Sequence, residues 1–256
     1  MSYTIAVAGK GGTGKTTICG MMIDYLIKHD KSPILAVDAD ANSNLNEVLG
    51  VDIEDTLGDI REEINKAETA LVSPIPKGMT KADYLDFKFG EALTETKDFD
   101  MLVMGRTQGE GCYCYVNGML KTQVHKLSGN YAYVVVDNEA GMEHISRGIL
   151  PKVDALILVS DCSVRGVQAV GRIAQLAKDI KLNPKVLKLI INRAPDGKLS
   201  DGIKNEIQKQ HLELIGVVPH DEMVYNYDTE GKPTSKLEDT APSKAAVNEI
   251  MNKLSL

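Results

Sequence analysis

The chain has 256 residues, of which 29 are Lys or Arg and 36 are Asp or Glu, so its formal net charge is −7. With 43% hydrophobic and 25% charged residues, the composition is that of a folded protein and argues against intrinsic disorder. The acidic balance disfavours nucleic acid as a partner, because affinity for the phosphate backbone needs clustered Lys and Arg. No apolar run approaches the roughly 20 residues that span a bilayer, so we expect no stable membrane association. The N-terminus lacks the pattern of a secretory signal, and we expect a cytoplasmic location.

Short apolar segments alternate with helical stretches along the whole chain. Predicted strands lie at 3–8, 34–37, 101–104, 131–136, 155–159, 186–191 and 214–218. Helices are predicted over 15–29, over 165–180 and over about the last dozen residues. Several strand segments are apolar without alternation, which is typical of parallel strands covered on both faces. We therefore expect one domain, 1–256, with an α/β fold: a doubly wound, mostly parallel sheet of about seven strands with helices on both faces.

A glycine-rich segment follows the first predicted strand and opens a predicted helix. It reads Gly9-Lys10-Gly11-Gly12-Thr13-Gly14-Lys15-Thr16-Thr17 and fits the pattern G-x-x-x-x-G-K-[ST]. In this pattern the backbone N–H groups of a tight loop and the helix N-terminus bind phosphate oxygens. Lys15 is expected to contact the β- and γ-phosphates, and the Thr16 hydroxyl is expected to bind Mg²⁺. The nucleotide-binding residues predicted here are Gly11, Gly12, Thr13, Gly14, Lys15, Thr16 and Thr17.

Lys10 distinguishes this segment from an ordinary phosphate loop. Gly-Lys-Gly-Gly-Thr-Gly-Lys-Thr resembles the deviant Walker A motif of the MinD/ParA-type ATPases, which are relatives of the nitrogenase iron protein. The resemblance implies that Lys10 crosses a dimer interface to the nucleotide of the other subunit and is catalytic there, as Lys15 is within its own subunit. It thus implies a homodimer that depends on ATP and Mg²⁺. From its spacing alone, Lys10 is also consistent with a solvated loop lysine.

Two acidic segments follow predicted strands at the edge where a doubly wound sheet binds its ligand. The first contains Asp38 and Asp40, and the second contains Asp137, Glu139 and Gly141. By the same resemblance they correspond to switch I and switch II, with Asp40 as the catalytic carboxylate that orients or deprotonates the attacking water. Asp38 and Asp137 are then magnesium ligands or their supports, and Gly141 senses the γ-phosphate. Each acid is also suited to cap a following helix, and Glu139, where proline is common, has no assigned role.

Two late segments look like the adenine-side loops of the same family. Asn192 and Arg193 end one predicted strand, and Pro219 and Asp221 follow another. The resemblance implies that Asn192 bonds the base and that the loop at Pro219 frames it. The guanine-reading pattern N-K-x-D is absent from the sequence, which favours ATP over GTP.

A pair of cysteines, Cys112 and Cys114, lies between a predicted strand and a helical stretch over 120–127. A helix N-terminus and the nearby Arg106 are expected to lower the thiol pKa values. One C-x-C supplies two soft ligands, and a two-fold axis near it supplies two more, which makes a four-thiolate site for Zn²⁺ or Ni²⁺ shared between subunits. The pair is also consistent with structural or fortuitous cysteines.

The combination of Lys10, the C-x-C pair and the segment Asp-Asn-Glu-Ala-Gly-Met-Glu-His at 137–144 resembles the CooC family of nickel-insertion ATPases. The resemblance implies an ATP-hydrolysing metallochaperone whose client is carbon monoxide dehydrogenase/acetyl-CoA synthase. His144 is a further candidate ligand, although a single helical histidine is more often a packing residue. Two alternatives stay open at this point: a MinD/ParA-like positioning ATPase that acts on membrane or DNA, and a cluster carrier like the nitrogenase iron protein.

Overall fold

The computed structural model describes residues 2–69, 75–106, 113–141 and 152–254. Across these residues eight strands form one sheet. They are β1 (Tyr3–Gly9), β2 (Ile34–Ala39), β3 (Leu93–Glu95), β4 (Asp100–Val103), β5 (Tyr133–Asn138), β6 (Ala155–Asp161), β7 (Val186–Ala194) and β8 (Leu214–Pro219). Their order is β3-β4-β2-β5-β1-β6-β7-β8, and every neighbouring pair is parallel except β3 with β4.

Helices connect the parallel strands. In the described residues they are α1 (Lys15–Lys28), α2 (Leu45–Leu49), α3 (Leu57–Thr69), α4 (Lys81–Glu91), α5 (Tyr113–Leu127), α6 (Val164–Asp179), α7 (Asp201–Lys209), α8 (Glu222–Thr229) and α9 (Pro242–Leu254). Serine hydroxyls accept backbone N–H groups at the starts of α6 and α7, where Ser163 and Ser200 are the N-caps. Among these helices none is long and apolar enough to cross a membrane.

The central strands are buried on both faces, as their continuous apolar runs predict. Successive side chains of β1 alternate between two cores: Ile5 and Val7 pack with residues of α1 and α9, whereas Ala6 and Ala8 pack with residues of α3, α5 and α6. The expectation of a doubly wound, mostly parallel sheet with helices on both faces is confirmed.

Two details differ from the predictions. The sheet has an eighth strand, β3, which is a three-residue antiparallel edge strand. It is too short to show any periodicity. Helix α5 begins at Tyr113, whereas the sequence predicts a helical stretch only over 120–127. The aromatic residues and Gly118 in its first turns have modest helix propensity, but Val116, Met119 and Leu120 are buried at helical spacing, so packing extends the helix.

The strand order brings three loops to the same edge of the sheet. Strand β1 lies between β5 and β6, and β2 lies on the other side of β5. In this register Asp137 is the direct partner of Val7 on one side and of Asp38 on the other. Because the strands are parallel, the segments that follow β1, β2 and β5 meet at their carboxyl ends.

Candidate nucleotide-binding site

The loop between β1 and α1 has the backbone of a phosphate-binding loop. Gly14 is the residue before α1 and has φ +85°, a left-handed conformation that favours glycine. The Thr13 hydroxyl donates to the Lys10 carbonyl oxygen at 2.9 Å, and the Lys15 ammonium group donates to the same oxygen at 3.3 Å. Two side chains of the loop therefore bind the carbonyl oxygen of Lys10 in the same loop, and the loop ends at the N-terminus of α1.

Later parts of the chain hold this loop from outside. The Asn192 side-chain amide donates to the Thr13 carbonyl oxygen at 2.8 Å, and the Arg193 guanidinium donates to the Gly12 carbonyl oxygen at 3.1 Å. The Gly141 N–H donates to the Gly9 carbonyl oxygen at 3.0 Å. These contacts provide hydrogen-bond donors for backbone carbonyl oxygens of the loop and so stabilise its conformation.

Lys15 lies in an acidic environment. Its side chain is 7% exposed, and burial lowers the pKa of its ammonium group, while Asp137, Asp40 and Glu139 act in the opposite direction. The predicted catalytic and switch carboxylates thus converge on the one lysine of the phosphate loop that is buried. Lys10, by contrast, is exposed.

The Asp137 carboxylate is buried and only partly satisfied. Its side chain is 2% exposed, and its Oδ1 atom makes no hydrogen bond with any residue that the structure describes. Burial raises the pKa of Asp137 to about 7; a hydrogen bond with Thr16 opposes the shift and the charge of Asp38 adds to it. A buried carboxylate oxygen without a partner, next to a threonine hydroxyl, is the oxygen-rich environment that Mg²⁺ prefers. These residues fit the magnesium ion that the sequence predicts.

The segment after β2 is built around two aspartates. Asp38 is fully buried and accepts the N–H groups of Asp40 and Leu45, each at 3.0 Å. Burial raises the pKa of Asp38 to about 6, against the effect of these two hydrogen bonds. Asp40 is half-buried, and its Oδ1 atom accepts from both the backbone and the side-chain amide of Asn42. Asp38 therefore shapes the loop, while Asp40 lies nearer to solvent.

Beyond α1, a cleft of 240 Å³ lies at the ends of β7 and β8. All four residues predicted for the adenine side, Asn192, Arg193, Pro219 and Asp221, line it, as does Thr17 of the phosphate loop. Asp221 also caps α8 and accepts both the N–H and the hydroxyl of Ser243 in α9. Burial raises the pKa of Asp221, but these hydrogen bonds outweigh that effect, and the pKa lies below its usual value. The contact of each residue with a base stays a prediction.

Sequence reasoning missed several residues of this site. His220, Val224 and Tyr225 line the same cleft, and the proximity of α8 to the loop at Pro219 is the signal that would have found them. The sequence assigns no role of its own to Asn138, yet its side-chain amide donates to the Val7 carbonyl oxygen at 2.9 Å and links β5 to β1. No sequence signal points to that contact.

The predicted cysteine site falls largely outside the described residues. Cys112 and His144 lie outside them, and Cys114 is the second residue of α5, so the shared thiolate site stays a prediction. Cys19 is buried, and Cys162 is half-buried. Arg106, which the sequence places beside the cysteines, directs its guanidinium to the Asn42 side-chain oxygen. Within the described ranges, no three His, Cys, Asp or Glu side chains form a group able to hold a metal ion.

A parallel sheet with a glycine-rich loop, a buried lysine and two strand-end aspartates at one edge defines a P-loop nucleotide-binding protein. The family model described as the CobQ/CobB/MinD/ParA nucleotide binding domain matches residues 4–234. The chain belongs to this family.

Similar proteins agree with this assignment. An uncharacterized ATP-binding protein of Methanocaldococcus jannaschii is 42% identical over 250 residues, which is 98% of this chain and 97% of the relative. The carbon monoxide dehydrogenase accessory protein CooC of Rhodospirillum rubrum is 28% identical over 261 residues, 94% of this chain and 92% of that protein. The structure of the septum site-determining protein MinD from Pyrococcus horikoshii, complexed with Mg-ADP, superposes with a TM-score of 0.73 at 22% identity, covering 99% of this chain and 96% of that one. The last comparison shows a shared fold.

Proposed function

We propose that the protein is an ATP-hydrolysing metallochaperone that dimerises around nucleotide and delivers nickel to the metal cluster of carbon monoxide dehydrogenase/acetyl-CoA synthase. The observation that carries the ATPase part is the buried Oδ1 atom of Asp137 beside Thr16 and Lys15, which has no hydrogen-bond partner among the described residues. Similarity to CooC over most of both chains, together with the C-x-C pair in the sequence, supports the metal-delivery part.

In the proposed mechanism the backbone N–H groups of the phosphate loop and Lys15 bind the β- and γ-phosphates of ATP. Thr16, Asp38 and Asp137 would hold Mg²⁺, which when bound would neutralise phosphate charge. Asp40 orients the attacking water and accepts its proton, a role that suits a half-buried carboxylate at the open side of the site.

The proposed dimer uses Lys10. Its carbonyl oxygen is occupied inside its own loop by Thr13 and Lys15, but its side chain is exposed. An exposed ammonium group on a loop whose backbone is held in place is suited to contact phosphate of a second subunit. We propose that this contact closes the dimer and brings the two C-x-C segments to one symmetry axis, where Cys112 and Cys114 of both chains bind Ni²⁺ or Zn²⁺.

The ATPase and dimer parts are tested by phosphate release and by size-exclusion chromatography with ATP and with ADP. We expect Asp40→Asn to abolish hydrolysis while ATP binding persists, and Lys10→Ala to abolish both hydrolysis and the ATP-dependent dimer. Lys97→Ala, which removes an exposed lysine distant from the phosphate loop in sequence, is the matched control and leaves both unchanged. An active, ATP-dependent dimer of Lys10→Ala overturns the proposed role of Lys10.

The metal part is tested by anaerobic equilibrium dialysis against Ni²⁺ and Zn²⁺, with and without ATP. We expect one metal ion per dimer, lost in Cys112→Ser and in Cys114→Ser and retained in Cys162→Ser. If both C-x-C variants bind the same number of metal ions per dimer as the parent chain, the proposal of a metallochaperone is overturned. Co-sedimentation with liposomes or DNA in the presence of ATP then supports the positioning ATPase, the second function that the resemblance suggested.

A further inference from the structure

We propose that Asn42 and Arg106 are positioning residues that orient Asp40 for hydrolysis and connect it to the chain leading into the C-x-C pair. The proposal rests on the proposed ATPase function, in which Asp40 acts on the attacking water. It is carried by a continuous series of contacts from Asp40 to Arg106, which is the last residue described before the start of α5.

Asn42 holds the Asp40 carboxylate by two hydrogen bonds to a single oxygen. Its backbone N–H donates to Asp40 Oδ1 at 2.8 Å, and its side-chain amide donates to the same atom at 3.1 Å. Both donors occupy Oδ1, so Oδ2 receives neither of these hydrogen bonds. A carboxylate held through one oxygen presents the other in a defined direction, which is what a water-orienting residue requires.

Arg106 in turn holds Asn42. Its guanidinium donates to the Asn42 side-chain oxygen, and this contact fixes which end of the amide faces Asp40. With the oxygen engaged by Arg106, the amide nitrogen is directed to Asp40. An arginine thus acts on a carboxylate through an intervening amide and does not neutralise it directly.

The chain that carries Arg106 is itself held tightly against the segment after β2. The Met104 N–H donates to the Asp38 carbonyl oxygen at 2.9 Å, and the Gly58 N–H donates to the Met104 carbonyl oxygen at 2.9 Å. Gly105 has φ +66°, and a Cβ atom there would lie 2.1 Å from the Thr56 hydroxyl. Only glycine fits this position, so the backbone around Arg106 is packed between the switch I segment and the start of α3.

These contacts link the switch I segment to Arg106, from which the chain continues in sequence towards the cysteines. Six residues, 107–112, separate Arg106 from the first residue of α5, and the C-x-C pair is Cys112 and Cys114. Because Met104 is hydrogen-bonded to Asp38 and Arg106 to Asn42, a displacement of the switch I segment also displaces Met104 and Arg106. We infer that the nucleotide state at Asp40 changes the environment of the cysteine pair by this route.

The positioning role is tested by steady-state kinetics and by ATP binding measured with a fluorescent analogue. We expect Arg106→Ala and Asn42→Ala each to lower kcat about tenfold, with ATP affinity changed less than about twofold. The double variant is expected to be no slower than either single variant, because the two residues act in series. Arg106→Lys, which retains one donor for Asn42, is expected to recover much of the rate. Unchanged kcat, or additive losses, overturns the positioning role.

The connection to the cysteines is tested by maleimide labelling of the full chain in a Cys162→Ser background, without added metal. We expect a non-hydrolysable ATP analogue to change the labelling rate of the C-x-C pair, and Arg106→Ala to abolish that change while the analogue still binds. A persisting nucleotide effect in Arg106→Ala overturns the connection. If the parent chain neither binds nor hydrolyses ATP, the proposed function fails. If the parent chain does both, and the Arg106 and Asn42 variants have the same kcat and the same labelling rates as the parent, only this inference fails.

Discussion

The side-chain amide of Asn192 donates a hydrogen bond to the backbone carbonyl oxygen of Thr13, 2.8 Å away, although 179 residues separate the two in the chain. Asn192 lies near the carboxyl end of β7, two places from β1 in the sheet, and supports the phosphate loop. Its own Oδ1 atom accepts the N–H of Arg193, whose side chain holds Gly12. The conformation of the loop therefore depends on β7 as well as on the glycine-rich segment itself.

Replacement of Asn192 by alanine is expected to lower the free energy of unfolding by about 1–3 kcal/mol, because the Thr13 carbonyl oxygen loses its partner in a buried environment. ATP affinity is expected to fall as well. The comparison is Asn205→Ala, an exposed asparagine on α7, which should change stability by less than about 0.5 kcal/mol. Urea denaturation and nucleotide titration measure both effects, and equal behaviour of the two variants contradicts the supporting role.

Magnesium is expected to stabilise the chain more at high pH than at low pH. The folded-state pKa values of Asp38 and Asp137, about 6 and about 7, lie above the ordinary value of 3.8. Between 3.8 and these values the folded chain binds more protons than the unfolded chain, so the free energy of unfolding falls as pH rises. Mg²⁺ binds the ionised carboxylates and offsets this loss.

Thermal unfolding with and without MgCl₂, at about pH 5 and about pH 8, measures this linkage. Asp137→Asn is expected to be more stable than the parent at the higher pH without magnesium and to lose most of the magnesium effect. An equal stabilisation by MgCl₂ at both pH values would argue against a cation at Asp137.

Replacing Gly9 by alanine is expected to lower the free energy of unfolding, whereas replacing Gly118 by alanine is expected to raise it. A Cβ atom at Gly9 would lie 2.2 Å from the Val159 carbonyl oxygen on the neighbouring strand β6, so Gly9→Ala separates the strands beside the phosphate loop. We expect a loss of about 1–3 kcal/mol and weaker nucleotide binding. Gly118 is exposed within α5 with nothing within 4 Å of an added Cβ, and Gly118→Ala should gain about 0.5–1 kcal/mol. Denaturant midpoints of the two variants check both signs.

The ion pair of the fully buried Lys244 is expected to contribute to the stability of the fold. Its ammonium group lies 2.6 Å from Asp24 Oδ2 and joins α9 to α1, while Lys28 approaches the same carboxylate atom at 3.0 Å. Among the described residues, Asp24→Ala leaves the buried ammonium group with the Ser235 carbonyl oxygen as its one remaining partner, so a loss of about 3–5 kcal/mol in the free energy of unfolding is expected. Lys244→Met leaves Asp24 paired with Lys28 and should be much milder. Calorimetry distinguishes the two, and equal losses would contradict this account.

Much of the candidate site was predictable from local sequence. The phosphate loop is a single contiguous segment, and the strand before it and the helix after it carry their own apolar patterns, so Lys15 and Thr16 were placed correctly at the start of α1. Asp38 and Asp137 follow from their positions at strand ends. Strand β3 and the start of α5 were missed because one is too short for periodicity and the other depends on packing against α3.

The amino-acid order by itself determined the alternation of strands and helices, the phosphate loop and the acidic strand ends, since each depends on residues close together in the chain. Only the tertiary structure decided that Asp38 and Asp137 are register partners, that Asn192 supports Thr13, and that Arg106 contacts Asn42. The physical reason is that strand order and register set which distant segments meet, and a buried amide or carboxylate binds whichever partner that packing brings within hydrogen-bond distance.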